Sequence, residues 1–378
     1  MTNWQEVKFR DIASFKYGKM PKKEDVKDIG KYPIYSGYRY VGYADTYNID
    51  KNQLIVVAWG VGGTGDVKLS REKCFLTNLS IATFIKNSSV NVQYLYYYFQ
   101  IHNLRYLDSG SAQAQITISD LEKLTIPLPP LDIQKKIAGV LGALDDKIEL
   151  NNRINNNLEQ QAQTLFNEKI VNNSKQGCIG DYCSIKSGFA FKSSWWQNTG
   201  VRVIKIKNIE PSGLNLQECS FVSEDKVSIA KEFIVKGGDL LIAMTGATIG
   251  KFAIVPHVDE ILLVNQRVGK FFLGDNPLEK LPFIYCTLKQ PEVVSEIINR
   301  GQGSAQPNIS GNDIMSITCN YPDENIIAGF NNICRPYFEK IITNQYENTR
   351  LAAIRDALLP KLMSGEVDVD KVSLRGME

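Results

Sequence analysis

The stretch that decides the fold is residues 131–171, LDIQKKIAGVLGALDDKIELNNRINNNLEQQAQTLFNEKIV. It contains no proline, and its only glycines are Gly139 and Gly142. Its apolar residues recur at steps of three and four, which is the spacing of one face of a helix. Forty residues of helix would form a rod about 60 Å long. A helix of this length with an apolar stripe needs a partner to cover it.

A second copy of this helix is the natural partner. The sequence GSAQ occurs at 110–113 and again at 303–306, and the match continues without a gap for over fifty residues at the same offset. Earlier stretches match at smaller offsets, because Asp11–Gly18 resembles Asp181–Gly188 and Leu54–Gly60 resembles Leu240–Gly246. The sequence therefore predicts an internal duplication. Pro336 and Pro360 are expected to distort or shorten the second long helix.

Short apolar runs rich in β-branched residues and broken by Gly, Pro, Asn and Ser precede each long helix, and such runs are typical of strands. We therefore predict an α+β protein. Two β-rich globular domains would be separated by two long antiparallel helices that form a coiled coil with pseudo-twofold symmetry. The predicted parts are a globular domain at 1–130, a helix at 131–172, a second globular domain at 173–320, a second helix at 321–365 and a tail at 366–378.

Heptad spacing along the two helices predicts which residues contact the partner helix. The predicted interface consists of Ile137, Leu141, Leu144, Ile148, Asn151, Asn155 and Leu158 in the first helix, and of Phe330, Tyr337, Ile341, Asn344, Asn348 and Leu351 in the second. The asparagines lie near mid-length in both copies. They either face one another across an antiparallel pair and fix its register, or remain exposed in an Asn-rich stretch.

Composition excludes several classes of protein. The chain has 378 residues, 43% of them hydrophobic and 22% charged, which is ordinary for a folded protein of two or three domains. The longest purely apolar run is too short to span a bilayer, and we expect no signal peptide. Seven scattered cysteines without a CxxC pair indicate reduced thiols and a cytoplasmic location, and two histidines argue against a multi-His metal centre.

Catalytic and nucleotide-binding signals are weak. Gly60–Gly65 matches GxGxxG after an apolar run, but no amphipathic helix follows it, so a glycine-rich turn is favoured over a dinucleotide site. Asp145 and Asp146 are adjacent carboxylates on the long helix, where a solvated face is the expected environment. We predict no catalytic residue and no metal site. A nucleotide-binding enzyme that uses Gly60–Gly65, or a scaffold that binds only proteins, remains an alternative.

Three segments resemble a known family. Residues 126–137, IPLPPLDIQKKI, with their continuation to Phe166, resemble the central region of DNA specificity subunits of type I restriction–modification systems. Residues 358–369, LLPKLMSGEVDV, resemble the end of that family's distal helix, and residues 188–192, GFAFK, with 201–208 resemble the opening of a target recognition domain. The resemblance extends over nearly the whole chain.

This resemblance implies a non-catalytic subunit whose two globular domains each read half of a bipartite, asymmetric sequence in double-stranded DNA. Two methyltransferase subunits would dock on the helices, and motor-nuclease subunits would join to give restriction. S-adenosylmethionine would bind to the methyltransferase subunits, so that this chain itself carries no cofactor.

Phosphate contacts dominate DNA affinity, so candidate DNA-binding residues are basic residues near turns and aromatic side chains. The basic excess lies before the first helix, where residues 1–130 carry 16 basic and 12 acidic residues. The candidates are Lys16, Tyr38, Arg39, Lys68 and Arg105 in the first domain, and Lys186, Lys192, Lys205, Lys207, Gln266 and Arg267 in the second. Each is alternatively an ordinary solvated side chain, and the GSAQ segments are either backbone-contacting loops or simple turns.

Overall fold

The computed structural model describes residues 4–37, 39–60, 63–107, 115–173, 175–210, 213–302 and 307–372. The chain divides into two compact units, with unit 1 formed by residues 1–146 and 351–378 and unit 2 formed by residues 147–350. Both divisions fall inside a long helix. Within the described ranges, no helix is both long enough and apolar enough to cross a membrane.

Unit 1 is built mainly of short strands. Its strands are β1 (Gln5–Lys8), β2 (Ala13–Tyr17), β3 (Tyr32–Ser36), β4 (Arg39–Ala44), β5 (Leu54–Val57), β6 (Val67–Leu69), β7 (Phe75–Leu76), β8 (Ser80–Ile85) and β9 (Thr125–Leu128). Its helices are α1 (Phe9–Ile12), α2 (Val92–Ile101), α3 (Ile118–Lys123) and the first part of α4 (Leu131–Lys169).

The strands described in unit 1 form three sheets. An antiparallel sheet has the strand order β2-β8-β5-β6, a second sheet has the order β4-β3-β7 with β3 and β7 parallel, and β1 pairs with β9. One face of the four-stranded sheet packs on the main core, which includes Tyr94 and Phe99 of α2 and Leu141 of α4. The other face contributes Ile55 and Ala82 to a smaller cluster.

Unit 2 contains more strands. They are β10 (Gln176–Cys178), β11 (Ser184–Ser187), β12 (Trp196–Gln197), β13 (Val201–Ile204), β14 (Ile209–Glu210), β15 (Gly213–Leu214), β16 (Ser220–Val222), β17 (Ile234–Val235), β18 (Leu240–Ala243), β19 (Phe252–Ile254), β20 (Leu262–Val264), β21 (Val268–Phe272) and β22 (Thr318–Asn320). Its helices are α5 (Ile179–Tyr182), α6 (Leu281–Leu288), α7 (Pro291–Gly301), α8 (Gly311–Met315) and α9 (Glu324–Met363), whose last part lies in unit 1.

The sheets of unit 2 resemble those of unit 1, with a larger second sheet and an additional pair, β14 with β15. An antiparallel sheet has the order β11-β21-β18-β19, a five-stranded sheet has the order β12-β16-β13-β20-β17 with β13 and β20 parallel, and β10 pairs with β22. The main core joins one face of the four-stranded sheet to α6 and the long helices, through side chains such as Phe271, Phe283, Phe330 and Phe166.

One close backbone contact occurs at matching places in both units. The amide of Gly18 donates to the carbonyl of Ser80, and a Cβ on Gly18 would lie 2.3 Å from the carbonyl oxygen of Leu76. In unit 2 the amide of Gly188 donates to Val268, and a Cβ there would lie 2.4 Å from the carbonyl oxygen of Val264. Only glycine permits the residue that follows β2 or β11 to approach a strand of the other sheet, β7 or β20, this closely.

The helices α3 and α8 begin with the same capping arrangement. The Thr117 hydroxyl donates to the Asp120 carboxylate over 2.6 Å, and the Ser310 hydroxyl donates to the Asp313 carboxylate over 2.6 Å. In both cases the carboxylate also accepts from the backbone amide of the N-cap residue itself, Thr117 or Ser310, as in a capping box. The hydrogen bonds from Thr117 and Ser310 lower the pKa of Asp120 and of Asp313, since they stabilise the charged forms.

The second long helix differs from expectation at its prolines. The helix α9 continues through both Pro336 and Pro360, although each was expected to distort or shorten it. A proline inside a helix costs about 3 kcal/mol because it removes one backbone hydrogen bond and crowds the preceding turn. Side chains near both prolines are buried nevertheless, with Phe330 and Phe338 in the main core of unit 2 and Leu359 and Leu362 in that of unit 1.

Candidate nucleic-acid interface and helix contacts

In unit 1, two of the predicted DNA-binding residues lie on one face of the four-stranded sheet. Lys16 pairs with Ala82, Ala82 with Ile55, and Ile55 with Lys68, so that the four residues form one row across the strands. Directly opposite residues in an antiparallel sheet point to the same face. Both lysines are exposed and lie about 14 Å apart along the row, at three strand spacings.

The other candidates of unit 1 have different environments. Arg39 begins β4 and is exposed, whereas Tyr38 lies outside the described residues. The Arg105 guanidinium donates to the Asp66 carboxylate over 2.9 Å, which ties the segment after α2 to the loop before β6. Both GSAQ segments also lie outside the described residues.

In unit 2, two candidate lysines are paired with carboxylates. Lys186 on β11 forms an ion pair with Glu232 and lies 5.1 Å from the ring centre of Phe272. Lys207 lies 4.0 Å from the Glu218 carboxylate. Such pairs partly neutralise the two lysines.

A different pair of candidates lies over tryptophan rings. The Lys205 ammonium is 3.5 Å from the ring centre of Trp196, and the Lys192 ammonium is 5.5 Å from that of Trp195. Lys226 also contacts Trp195, at 5.0 Å. Phe189 stacks on Trp195 and Phe191 packs on Trp196. These seven residues are called the tryptophan–lysine cluster below.

The two remaining candidates, Gln266 and Arg267, lie beside this cluster and are exposed. The backbone amide of Gln266 donates to the backbone carbonyl of Phe189 over 3.0 Å. The backbone amide of Asn265 donates to the backbone carbonyl of Ile204 over 2.9 Å. Lys205 follows Ile204 directly, so the turn at 265–267 meets both parts of the cluster. The structure thus places the turn that carries Gln266 and Arg267 beside the segments that carry Lys192 and Lys205, which are distant from it in sequence.

Lys205 has an electrostatic environment of its own. Burial lowers the pKa of its ammonium, and the nearby charge of Lys207 lowers it further. A cation that is partly desolvated and repelled by a neighbouring cation gains more from an approaching anion than a fully hydrated one does. The Lys205 ammonium is therefore partly desolvated and has a second cation beside it.

The glycine-rich loop Gly60–Gly65 connects two strands. It lies between β5 and β6, so a strand follows it. A dinucleotide site would require the N-terminus of a helix at this place. Gly60 and Gly65 have φ values of +129° and +89°, and Gly62 lies outside the described residues. A Cβ on Gly65 would lie 2.5 Å from the backbone nitrogen of Arg105. The geometry is that of a tight turn.

We expect Gly65→Ala to destabilise unit 1 by about 1–3 kcal/mol, because the added methyl group would collide with backbone atoms and the left-handed backbone disfavours a side chain. Urea unfolding monitored by tryptophan fluorescence would measure the loss. Gly139→Ala is the matched control, since nothing lies within 4 Å of its Cβ position on the exposed side of α4. Adenine nucleotide binding by the wild-type chain that Gly65→Ala abolishes would contradict the turn assignment.

Asparagines join the two long helices within unit 2. Asn344 donates to the Asn155 amide oxygen over 2.8 Å, and Asn151 donates to that of Asn348 over 2.9 Å. Asn151, Asn155 and Asn344 are buried, at 2%, 6% and 0% exposure. Of the other residues of the predicted interface, Ile137, Leu141, Leu144, Phe330, Ile341 and Leu351 are buried, and Ile148, Leu158 and Tyr337 are half-buried.

A buried polar group joins the long helices within unit 1. The Asp145 carboxylate accepts from the Arg355 guanidinium over 2.7 Å and from the Tyr97 hydroxyl over 2.7 Å. Asp145 is 9% exposed, so its assignment to a solvated face was wrong, whereas Asp146 is exposed as expected. Burial lowers the Arg355 pKa, but the hydrogen bonds to Asp145 and Asp356 outweigh burial and raise it overall.

The corresponding place in unit 2 is apolar. At the offset of 193, Asp145 corresponds to Phe338 and Arg355 corresponds to Ala162. Both of these residues are 0% exposed and lie in the main core of unit 2. Tyr285 of α6 packs edge-on against Phe338, with ring centres 5.0 Å apart. The two units therefore differ in chemistry at an equivalent contact between the helices.

Comparison with known proteins assigns the family. The model of the type I restriction modification DNA specificity domain matches residues 1–160 and 172–335, which is most of the chain. The chain belongs to this specificity family. The family predicted from the sequence motifs is thereby confirmed.

Relatives in the specificity family match over most of their length. The MjaIX type I restriction enzyme specificity subunit of Methanocaldococcus jannaschii is 27% identical over 329 residues, covering 78% of this chain and 74% of that protein. The MjaVIII specificity subunit of the same organism is 25% identical over 352 residues, covering 85% and 82%. The crystal structure of an S subunit from M. genitalium matches with a TM-score of 0.60 at 21% identity and covers 96% of both chains, which shows a shared fold.

Sequence reasoning missed several side chains of these sites. Trp195 and Trp196 were not proposed as site residues, although they follow Lys192 by only three and four residues. That local pattern of lysine and tryptophan was the available signal. Tyr97 and Arg355 were also missed as partners of Asp145, because they lie 48 and 210 residues away along the chain.

Proposed function

We propose that this chain is the non-catalytic, target-reading subunit of a type I restriction–modification complex, in which each unit reads one half of a bipartite DNA sequence. The observation that carries the proposal is that the specificity-domain model matches one segment that begins in unit 1 and a second that lies in unit 2. Two reading domains in one chain suit a target of two unequal halves.

An internal duplication accounts for the shared plan of the units. The same order of four strands, the close glycine contacts at Gly18 and Gly188 and the capping boxes of α3 and α8 support it. The surfaces differ, since unit 1 has a row with Lys16 and Lys68 whereas unit 2 has the tryptophan–lysine cluster. Similar scaffolds with different surfaces are what independent reading of two sequences requires.

The long helices form an antiparallel coiled coil that relates the duplicated halves by a pseudo-twofold axis. The pairing of Asn155 with Asn344 and of Asn151 with Asn348 in unit 2 supports an antiparallel direction. From one pair to the next, the residue number falls on α4 and rises on α9. In unit 1 the ion pair of Asp145 with Arg355 follows the same rule, and Lys136 pairs with Asp370, which lies in the segment after α9. The helices set the gap between the half-sites and dock the methyltransferase subunits.

Two methyltransferase subunits, which bind S-adenosylmethionine, and motor-nuclease subunits complete the proposed complex in the cytoplasm. This chain supplies sequence recognition, and its partners supply the chemistry. Base-edge hydrogen bonds from side chains of each unit would discriminate between sequences, at about 1–3 kcal/mol for a good bidentate contact.

Exchange of one domain tests the proposal. Replacing residues 1–130 by the corresponding part of a relative should change one half-site of the methylated sequence and leave the other intact. The measurement is adenine methylation mapping in a host that expresses the chimera with its methyltransferase subunits. The reciprocal exchange of residues 173–320 is the control and should change only the other half. A chimera in which both half-sites change together would contradict independent reading.

A further inference from the structure

Lysines of unit 2 fall into two groups by their neighbours. Lys186 and Lys207 face carboxylates, and Lys226 is paired with Asp225. Lys192 and Lys205 instead lie over indole rings, and among the described residues neither forms an ion pair with a carboxylate. The positive charges of these two lysines are therefore not neutralised by the described part of the protein.

The indole rings also restrict the two lysine side chains. An ammonium group within about 6 Å of a tryptophan ring centre is attracted to the ring face. A free lysine side chain has considerable rotamer entropy, part of which a ligand must otherwise remove when it binds. Phe189 and Phe191 hold the two tryptophans in turn, with ring-centre distances of 6.2 and 5.5 Å. The ammonium groups of Lys192 and Lys205 are thus ordered before any ligand arrives.

We propose that Lys192 and Lys205 are the phosphate anchors of unit 2, held in position by Trp195 and Trp196, and that Gln266 and Arg267 beside them face the bases. This assignment rests on the proposed function and specifies which residues contact phosphates and which face bases. The anchors bind phosphodiester groups of duplex DNA in any sequence and fix the orientation of unit 2. Trp195 and Trp196 are positioning residues, since they act through the lysines.

Salt dependence of DNA binding distinguishes a phosphate anchor from a structural lysine. Each phosphate contact contributes about 0.9 to the slope of log affinity against log salt concentration. Lys192→Gln and Lys205→Gln in the complex with its methyltransferase subunits should each lower that slope by about 0.9. Both variants should weaken binding to the mapped target duplex and to a scrambled duplex by the same factor. Lys175→Gln is the matched control, since this exposed lysine of unit 2 is paired with Asp323 and lies outside the candidate DNA-binding residues, and it should leave the slope unchanged.

The tryptophans have a separate signature. Trp196→Leu keeps the Lys205 charge but removes its support, so affinity for both duplexes should fall several-fold while the salt slope is retained. Gln266→Ala should reduce the preference for target over scrambled duplex and leave the slope unchanged.

Three results would overturn the assignment. Unchanged slopes for both lysine variants in a complex that still binds DNA would reject the anchors alone. A loss of discrimination without a change of slope in Lys205→Gln would make this residue a base-reading one. A wild-type complex without sequence-selective binding would reject the proposed function and the anchors with it.

Discussion

Lengthening both long helices by seven residues should widen the gap between the two DNA half-sites and leave both half-sites unchanged. The insertions are a copy of residues 151–157 after Asn157 in α4 and a copy of residues 343–349 after Ile342 in α9. Seven helical residues add about 10 Å, which equals the rise of about three base pairs at 3.4 Å each. Because DNA also rotates with each base pair, we expect the gap to grow by one to three base pairs.

The two insertion points are chosen so that existing contacts survive. The pairs Asn155–Asn344 and Asn151–Asn348 lie on one side of both insertions. The core contacts of Ala162 and Phe166 with α9 lie on the other side and move together. Methylation mapping in the host would reveal the new gap.

A single insertion in α4 is the control for this experiment. It would shift asparagines against apolar side chains, so we expect loss of the folded complex rather than a new gap. A double-insertion complex that methylates DNA at the original gap would show that the helices do not set the spacing.

Asp145→Ala should destabilise unit 1 by about 3 kcal/mol. Removing one partner of a buried ion pair typically costs about 3–5 kcal/mol, because the remaining charge is left without compensation. The lower end applies here, since Arg355 keeps its hydrogen bonds to Asp356 and its side chain is 29% exposed. The Tyr97 hydroxyl would also lose its acceptor in a buried position.

Hydrogen exchange would locate the effect of Asp145→Ala. Amide protection should fall in α2 and in the last turns of α9, with protection of the unit 2 core unchanged, because exchange reports local opening free energies. The exposed neighbour provides the matched control, and Asp146→Ala should change stability by less than about 0.5 kcal/mol. Equal protection in the two variants would show that the buried pair contributes nothing to unit 1.

The sequence predicted the family and the long helices because the relevant signals are local and periodic. The apolar stripe of 131–171 and the offset of 193 require no knowledge of distant contacts. The expectation that Pro336 or Pro360 would shorten α9 was wrong, because the helix continues through both while side chains near them are buried in the cores. Local rules cannot weigh that burial.

Polar sites were harder to predict for the same reason. Whether a charged residue is solvated depends on what approaches it, and Asp145 meets residues from α2 and α9 that no spacing along α4 reveals. Likewise Lys192 and Lys205 were chosen as basic residues near turns and aromatic side chains, but the sequence did not reveal which lysines lie over indole rings and which, like Lys186, face a carboxylate. The base-reading side chains of both units remain predictions.

The difference between Asp145–Arg355 and its apolar counterpart Phe338–Ala162 has a consequence for self-recognition. Suppose that the α4 helices of two chains paired with each other in the register that α4 and α9 have here. The Asp145 carboxylate of each helix would then lie against Ala162 of the other. Each carboxylate would then be buried without its cation, at a cost of several kcal/mol. The asparagines alone would permit such a pairing, because Asn151 of each helix would meet Asn155 of the other and could form the same hydrogen bonds. The buried ion pair thus favours pairing of the two different halves of one chain over pairing of two identical halves, which is what the proposed reading of two unequal half-sites requires.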